Sequence, residues 1–239
     1  MNVKKYIKKI PNVIIYDYFY ENPDKIRSVY IKMLSNRQRE LLEDGRDDIF
    51  SINEYKIEGN FPELFENKIE NVFKEKIENV FKEKIEKIIG NKIFILNDSY
   101  ISYLKPCKFI KDGININYDE NNKDNIYDEW KAVIFLTPDA SRNSGISFKI
   151  YKNFCLSSLN SIGFKNNTEE TKIKLVNTMK ENKLDETKWI EDTHVGNKYN
   201  RIVIFKKDLF YSYMDNFGNT IESSKLYQEI SFKTKKNNK

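Results

Sequence analysis

His194 is the only histidine in the chain, standing in Trp189-Ile190-Glu191-Asp192-Thr193-His194-Val195-Gly196. Imidazole is the commonest protein ligand for transition metals and the usual proton carrier near neutral pH. The surroundings of this one group therefore bound much of the chemistry open to the chain. Paired with Glu191 or Asp192 it could offer a metal one nitrogen and one carboxylate, but the spacing matches no recognised metal motif. A surface or turn histidine is the simpler reading. The acidic run from Asp119 to Glu129 could draw a hard cation. It lacks the EF-hand glycine and carries Lys123 in a ligand position, so an ordinary solvated loop is expected. Ser157 and Ser158 lie close to Cys155, yet a hydrolase triad is hard to assemble without a second histidine. Cys107 and Cys155 belong to no CxxC pair and read as reduced thiols. No phosphate-binding glycine loop, HExxH or GxSxG element occurs.

The elements that would position such residues follow from periodicity. Asn12 to Tyr16 reads as a strand, after which Asn22 can cap a helix with Pro23 at its first position. Ile26, Val29, Tyr30, Met33 and Leu34 recur at helical spacing to about Asn36, and the polar residues Arg37 to Asp48 read as a loop. Residues Ile69 to Lys76 recur as Ile77 to Lys84. A repeat of eight turns the apolar face by roughly 80° per copy, so the added residues should partly leave the core. The segment reads as one lengthened surface helix, Pro62 to Ile89; a coiled-coil surface would need heptads, which are absent. Short strands are expected at Lys92–Ile95, Tyr100–Leu104, Ile114–Asn117, Lys131–Thr137, Gly145–Lys149, Arg201–Lys206 and Leu226–Phe232. One helix, about Thr168 to Glu181, interrupts them.

Composition narrows the classes. Sixteen Phe, fifteen Tyr and two Trp among 239 residues argue for a packed domain despite the 32% of charged residues. The abundance of Lys, Asn and Ile reflects an AT-rich genome rather than a binding surface. Forty-one basic against 36 acidic residues leave a net charge of +5 without the clustering that nucleic-acid binding needs. The one basic run, Lys233, Lys235, Lys236 and Lys239, reads as a solvated, disordered tail. The apolar run before Asp17 is too short for a secretory core, and no stretch approaches the roughly 20 apolar residues of a membrane span. An intracellular protein with no membrane and no specific nucleic-acid partner is expected.

The second half carries a recognisable order of segments. Asp112-Gly113-Ile114-Asn115-Ile116-Asn117-Tyr118-Asp119 precedes Trp130-Lys131-Ala132-Val133-Ile134-Phe135-Leu136-Thr137-Pro138. Ser144-Gly145-Ile146-Ser147-Phe148, Tyr199-Asn200-Arg201-Ile202-Val203-Ile204-Phe205, Leu209-Phe210-Tyr211-Ser212 and Lys225-Leu226-Tyr227-Gln228 follow. This series resembles the 2-oxoglutarate/Fe(II) oxygenase-like superfamily, in particular its small members from phages, bacteria and large DNA viruses. The opening residues Val13 to Arg27 resemble the same family. The resemblance implies an α+β fold: a double-stranded β-helix, or jelly roll, with N-terminal helices packed outside. One domain would span residues 1–239, with helical support over about 22–90, the β-core over about 92–232 and the basic tail over 233–239.

In that family two histidines and a carboxylate hold Fe(II) on one face, and a basic residue pairs with 2-oxoglutarate. Carried over by position, the first histidine falls on Asn117, the carboxylate on Asp119, the distal histidine on Tyr211 and the basic residue on Lys225. Both imidazoles are thus replaced. An amide oxygen is a poor substitute, and a phenol binds metal as a phenolate, which favours ferric iron. The resemblance therefore implies a degenerate member without dioxygenase activity and without Fe(II) or 2-oxoglutarate. It would keep a polar pocket of Asn117, Asp119, Tyr211 and Lys225 and act as a binding or assembly protein for a protein partner or a small organic acid. The alternatives are an active Fe(II)/2-oxoglutarate hydroxylase with non-standard ligands, and another enzyme reusing Asp119 and Tyr211 for acid–base work.

Overall fold

A computed structural model describes residues 12–43, 54–57, 81–104, 113–116 and 127–236. Strand β1 (Val13–Tyr16) leads into helix α1 (Pro23–Glu43). The Asn22 side chain accepts the amide of Lys25 at 3.1 Å, the capping role its residue type favours. Helix α1 runs past Asn36, so the expected loop at Arg37 begins as helix. Polarity misled there, because Arg, Gln, Glu and Leu are all strong helix formers. Residues 81–89 form helix α2, the described end of the expected Pro62–Ile89 helix. Phe81, from the second copy of the repeat, is buried with Ile85 and Ile89. At spacings of four they share one helical face, so this part of the repeat stays in the core. Residues 62–80 of the expected helix, with the whole first copy, lie outside the described residues.

The remaining strands are β2 (Glu54–Ile57), β3 (Ile93–Leu104), β4 (Tyr127–Phe135), β5 (Ile146–Tyr151), β6 (Trp189–Val195), β7 (Ile202–Lys206), β8 (Tyr211–Tyr213) and β9 (Lys225–Lys235). Helices α3 (Ile162–Lys165) and α4 (Glu169–Glu181) lie between β5 and β6. Thr168 caps α4 by accepting the Thr171 amide at 3.4 Å. Of the expected strand at Ile114–Asn117, the described residues 114–116 contribute a bridge from Asn115 to Tyr211. Strand β6 was not expected. Five of its seven residues are exposed, so it lacks the alternation that marks a half-buried strand. The basic tail is corrected too: Lys233 and Lys235 belong to β9, and Lys233 Nζ meets Glu129 at 2.6 Å. A partner carboxylate on β4 turns what looked like a solvated end into a paired strand.

Among the described residues all pairings are antiparallel, in a six-stranded sheet ordered β1-β7-β4-β9-β3-β2 and a three-stranded sheet ordered β6-β5-β8. The outer face of the large sheet packs Trp130, Ile134, Ile204, Leu226, Ile230 and Phe232 against α1 and α2. Its inner face meets the small sheet through Val133, Phe135, Val203, Phe205 and Tyr227, opposite Ile146, Phe148 and Tyr211. A third cluster seats α4 on Tyr151, Trp189 and Phe210. Gly145 opens β5 at a position where a Cβ would stand 1.9 Å from the Val195 carbonyl, so only glycine permits that approach.

Candidate functional site

Because side chains alternate along a strand, β9 presents two sequences at once. Leu226, Ile230 and Phe232 face the helices, while Lys225, Tyr227 and Glu229 face the barrel interior. Lys225 is fully buried, and its ammonium donates to the carbonyls of Met214 at 2.5 Å and Gly145 at 3.4 Å. It also stands 5.3 Å from the Tyr213 ring centroid. Strand β8, held to β5 by the pairs Phe148–Tyr211 and Ile146–Tyr213, brings Tyr211 and Tyr213 to the same interior. Their ring centroids are 5.8 Å apart. The structure therefore joins Tyr211 to Lys225 through Tyr213. Asn117 and Asp119 lie outside the described residues. Asn115 donates its backbone amide to the Tyr211 carbonyl at 2.7 Å.

Two interior residues were not among the expected ones. Lys131 pairs with Ser231 across β4 and β9, and Val133 pairs with Glu229. Lys131 and Glu229 are thus diagonal neighbours on one face, within reach of long side chains. They form an ion pair, with Glu229 almost wholly buried. Lys131 Nζ donates to Tyr211 Oη at 2.7 Å, and the Tyr213 hydroxyl donates to the second oxygen of Glu229. The available signal was a lone charge inside each of two strands that are otherwise largely apolar, Trp130–Phe135 and Leu226–Phe232. Such a charge must find a partner if both sheet faces are covered.

The other candidates resolve into structural roles. His194 is exposed on β6, opposite Ser147, and so sits in a strand rather than a turn. Ser147 donates to Glu191 at 2.5 Å, and this bond chiefly holds the Glu191 carboxyl below its ordinary range, against the effect of burial and with help from Lys149 and His194. The end of the acidic run is strand: Asp128 meets Lys206 at 2.8 Å and Glu129 meets Lys233. Burial alone would raise the Glu129 carboxyl, but Lys233 and Lys207 hold it below the usual range. Cys155 is exposed, and Ser158 shares a turn with Ser161; Cys107 lies outside the described residues. Among the described residues no three His, Cys, Asp or Glu side chains gather to hold a metal. No helix among them is long and apolar enough to cross a membrane.

No protein-family model matches the chain, and no curated sequence does. Solved structures do. HygX from Streptomyces hygroscopicus, with nickel and 2-oxoglutarate bound, superposes with a TM-score of 0.51 at 11% identity, over 93% of this chain and 83% of that one. The fold is that of the 2-oxoglutarate/Fe(II) oxygenases. Within the same group are a Pseudomonas putida prolyl-4-hydroxylase (TM-score 0.43, 8% identity, 95% of this chain and 94% of that one) and the viral collagen prolyl hydroxylase of Paramecium Bursaria Chlorella virus-1 (TM-score 0.45, 10% identity, 95% and 91%). On this oxygenase fold the two sheets described above are the walls of the double-stranded β-helix. Lys131, Tyr211, Tyr213, Lys225 and Glu229 occupy the space between them.

Proposed function

We propose that this chain is a degenerate member of the oxygenase fold, without Fe(II)/2-oxoglutarate dioxygenase activity, that serves as a binding or assembly protein. One contact supports the reading: the hydroxyl of Tyr211, the residue that the resemblance aligns with the distal histidine, accepts a hydrogen bond from the ammonium of Lys131 at 2.7 Å. Fe(II) does not fit these residues. A dication bonded to that oxygen would compete with the ammonium for the same lone pairs and would have to displace a donor that Glu229 holds in place. The phenol oxygen is also a poor donor to ferrous iron until it loses its proton. The donors of Lys225 are directed at two backbone carbonyls, which supports a role in tying β5 and β8 to β9 rather than in holding an organic acid.

Anaerobic calorimetry with Fe(II), with and without 2-oxoglutarate, tests the proposal beside an Asp119→Ala control. The expected result is no binding in the micromolar range for either protein. Micromolar binding that the control loses would overturn it and restore the hydroxylase with non-standard ligands.

A further inference from the structure

Glu229 points from the middle of β9 into the barrel and is 1% exposed. A carboxylate placed there loses its water, at a cost of several kcal/mol, and needs a donor for each oxygen. Other strands supply an ion pair for one oxygen and a hydrogen bond for the other. The Lys131 ammonium on β4 takes Oε1, and the Tyr213 hydroxyl on β8 donates to Oε2. Tyr211 orients the ammonium through its own oxygen. Rings wall the site, with Phe205 4.9 Å from Tyr211 and Tyr227 4.8 Å from Tyr213, centroid to centroid. Recognition thus ends at the carboxylate group. Nothing in the donor set requires that group to be tethered to β9.

We propose that Lys131, Tyr211 and Tyr213 form a carboxylate-binding site inside the barrel, which the chain fills with its own Glu229 and which takes a small monocarboxylic acid once that side chain is withdrawn. The inference is independent of how iron behaves, since it concerns an anion and needs no metal. Glu229→Ala removes the atoms that an acetate ion can return one for one. An apolar-walled space with a charged donor at its end is the kind that retains such a guest.

The experiment is thermal melting of Glu229→Ala in sodium acetate and in sodium chloride of equal ionic strength, beside Lys131→Met/Glu229→Ala. Acetate is expected to raise the Glu229→Ala melting temperature saturably, by about 3–5 °C at ten times its dissociation constant. The double variant and the unmodified chain should show no acetate-specific rise. Equal responses of Glu229→Ala to acetate and chloride would overturn the site. Should Glu229→Ala not be recovered folded, Glu229→Gln and Lys131→Met/Glu229→Gln replace it. The double variant is then expected to melt higher than the single one, because Lys131 no longer faces a neutral group. A double variant melting no higher would count against the receptor.

Discussion

The two faces of the large sheet are built from the same strands and solve opposite problems. Toward the helices, Trp130, Ala132 and Ile134 of β4 meet Ile202 and Ile204 of β7 and Leu226, Ile230 and Phe232 of β9. Toward the small sheet the intervening positions include Lys131, Lys225 and Glu229, all buried. On the outer face stability comes from apolar area and close packing, so each residue contributes largely on its own. The inner face has an apolar cluster of its own, but where it carries these charges it depends on complete partnership, since a buried charge with its partner removed costs more than the pair contributes. A fold can therefore keep its outer face as a foundation while the inner face is rewritten, provided the rewriting is done in matched groups.

The sharpest way to break this comparison is to delete one residue from each face of β4. Trp130→Ala and Lys131→Met should each cost about 3–5 kcal/mol in chemical denaturation. Their second steps should diverge. Adding Glu229→Leu to Lys131→Met is expected to restore most of the loss, because it removes the stranded charge. Adding Phe232→Ala to Trp130→Ala, whose rings are stacked 6.4 Å apart, should deepen it. A double variant at Lys131 and Glu229 no more stable than Lys131→Met would erase the distinction between the faces. Tyr211→Phe asks a smaller question, since Lys131 keeps Glu229 and loses only a neutral acceptor. Its expected cost is about 1–2 kcal/mol in the same assay.

A third test moves the same chemistry toward solvent. Asp17, after β1, accepts from Arg201 Nε at 2.6 Å and from Lys198 at 2.8 Å. The Arg201 bond, with Lys198 assisting against partial burial, lowers its carboxyl from 3.8 to about 2. A depressed carboxyl contributes stability that is present above its unfolded value and is lost as pH falls through its folded one. Stability should therefore drop between about pH 4 and pH 2 by an amount that Asp17→Asn does not show. Screening limits the difference to about 1 kcal/mol, read from urea midpoints across that range. A loss as large as that of Lys131→Met would mean that burial does not set the scale.

Much of the architecture was legible because its strands alternate or run apolar. The segments around Ala132, Val203 and Ile230 all lie where periodicity placed them, and Asn22 and Thr168 start helices as their side chains favour. Strand β6 was hidden because its exposed faces carry no alternation. The oxygenase-like layout was legible only as an order of segments, since no single stretch is diagnostic. Of the four expected pocket residues, Tyr211 and Lys225 lie in the barrel interior. Lys131 and Glu229 were not expected there, because a lone charge in a strand announces a need for a partner without naming it. The partner is set by which strand lies alongside, and β9 pairs with β4 from far along the chain.

That placement of β9 has a further consequence. Strand β9, which follows β3 and β4 by some ninety residues or more, lies between them in the large sheet. While the protein is being synthesised, β3 and β4 leave the ribosome long before the strand that will join them. Each must keep an unpaired edge until then, so they wait side by side without a seam. Assembly of this sheet thus waits until synthesis has passed β9, and until then the nascent chain is exposed to edge-to-edge association.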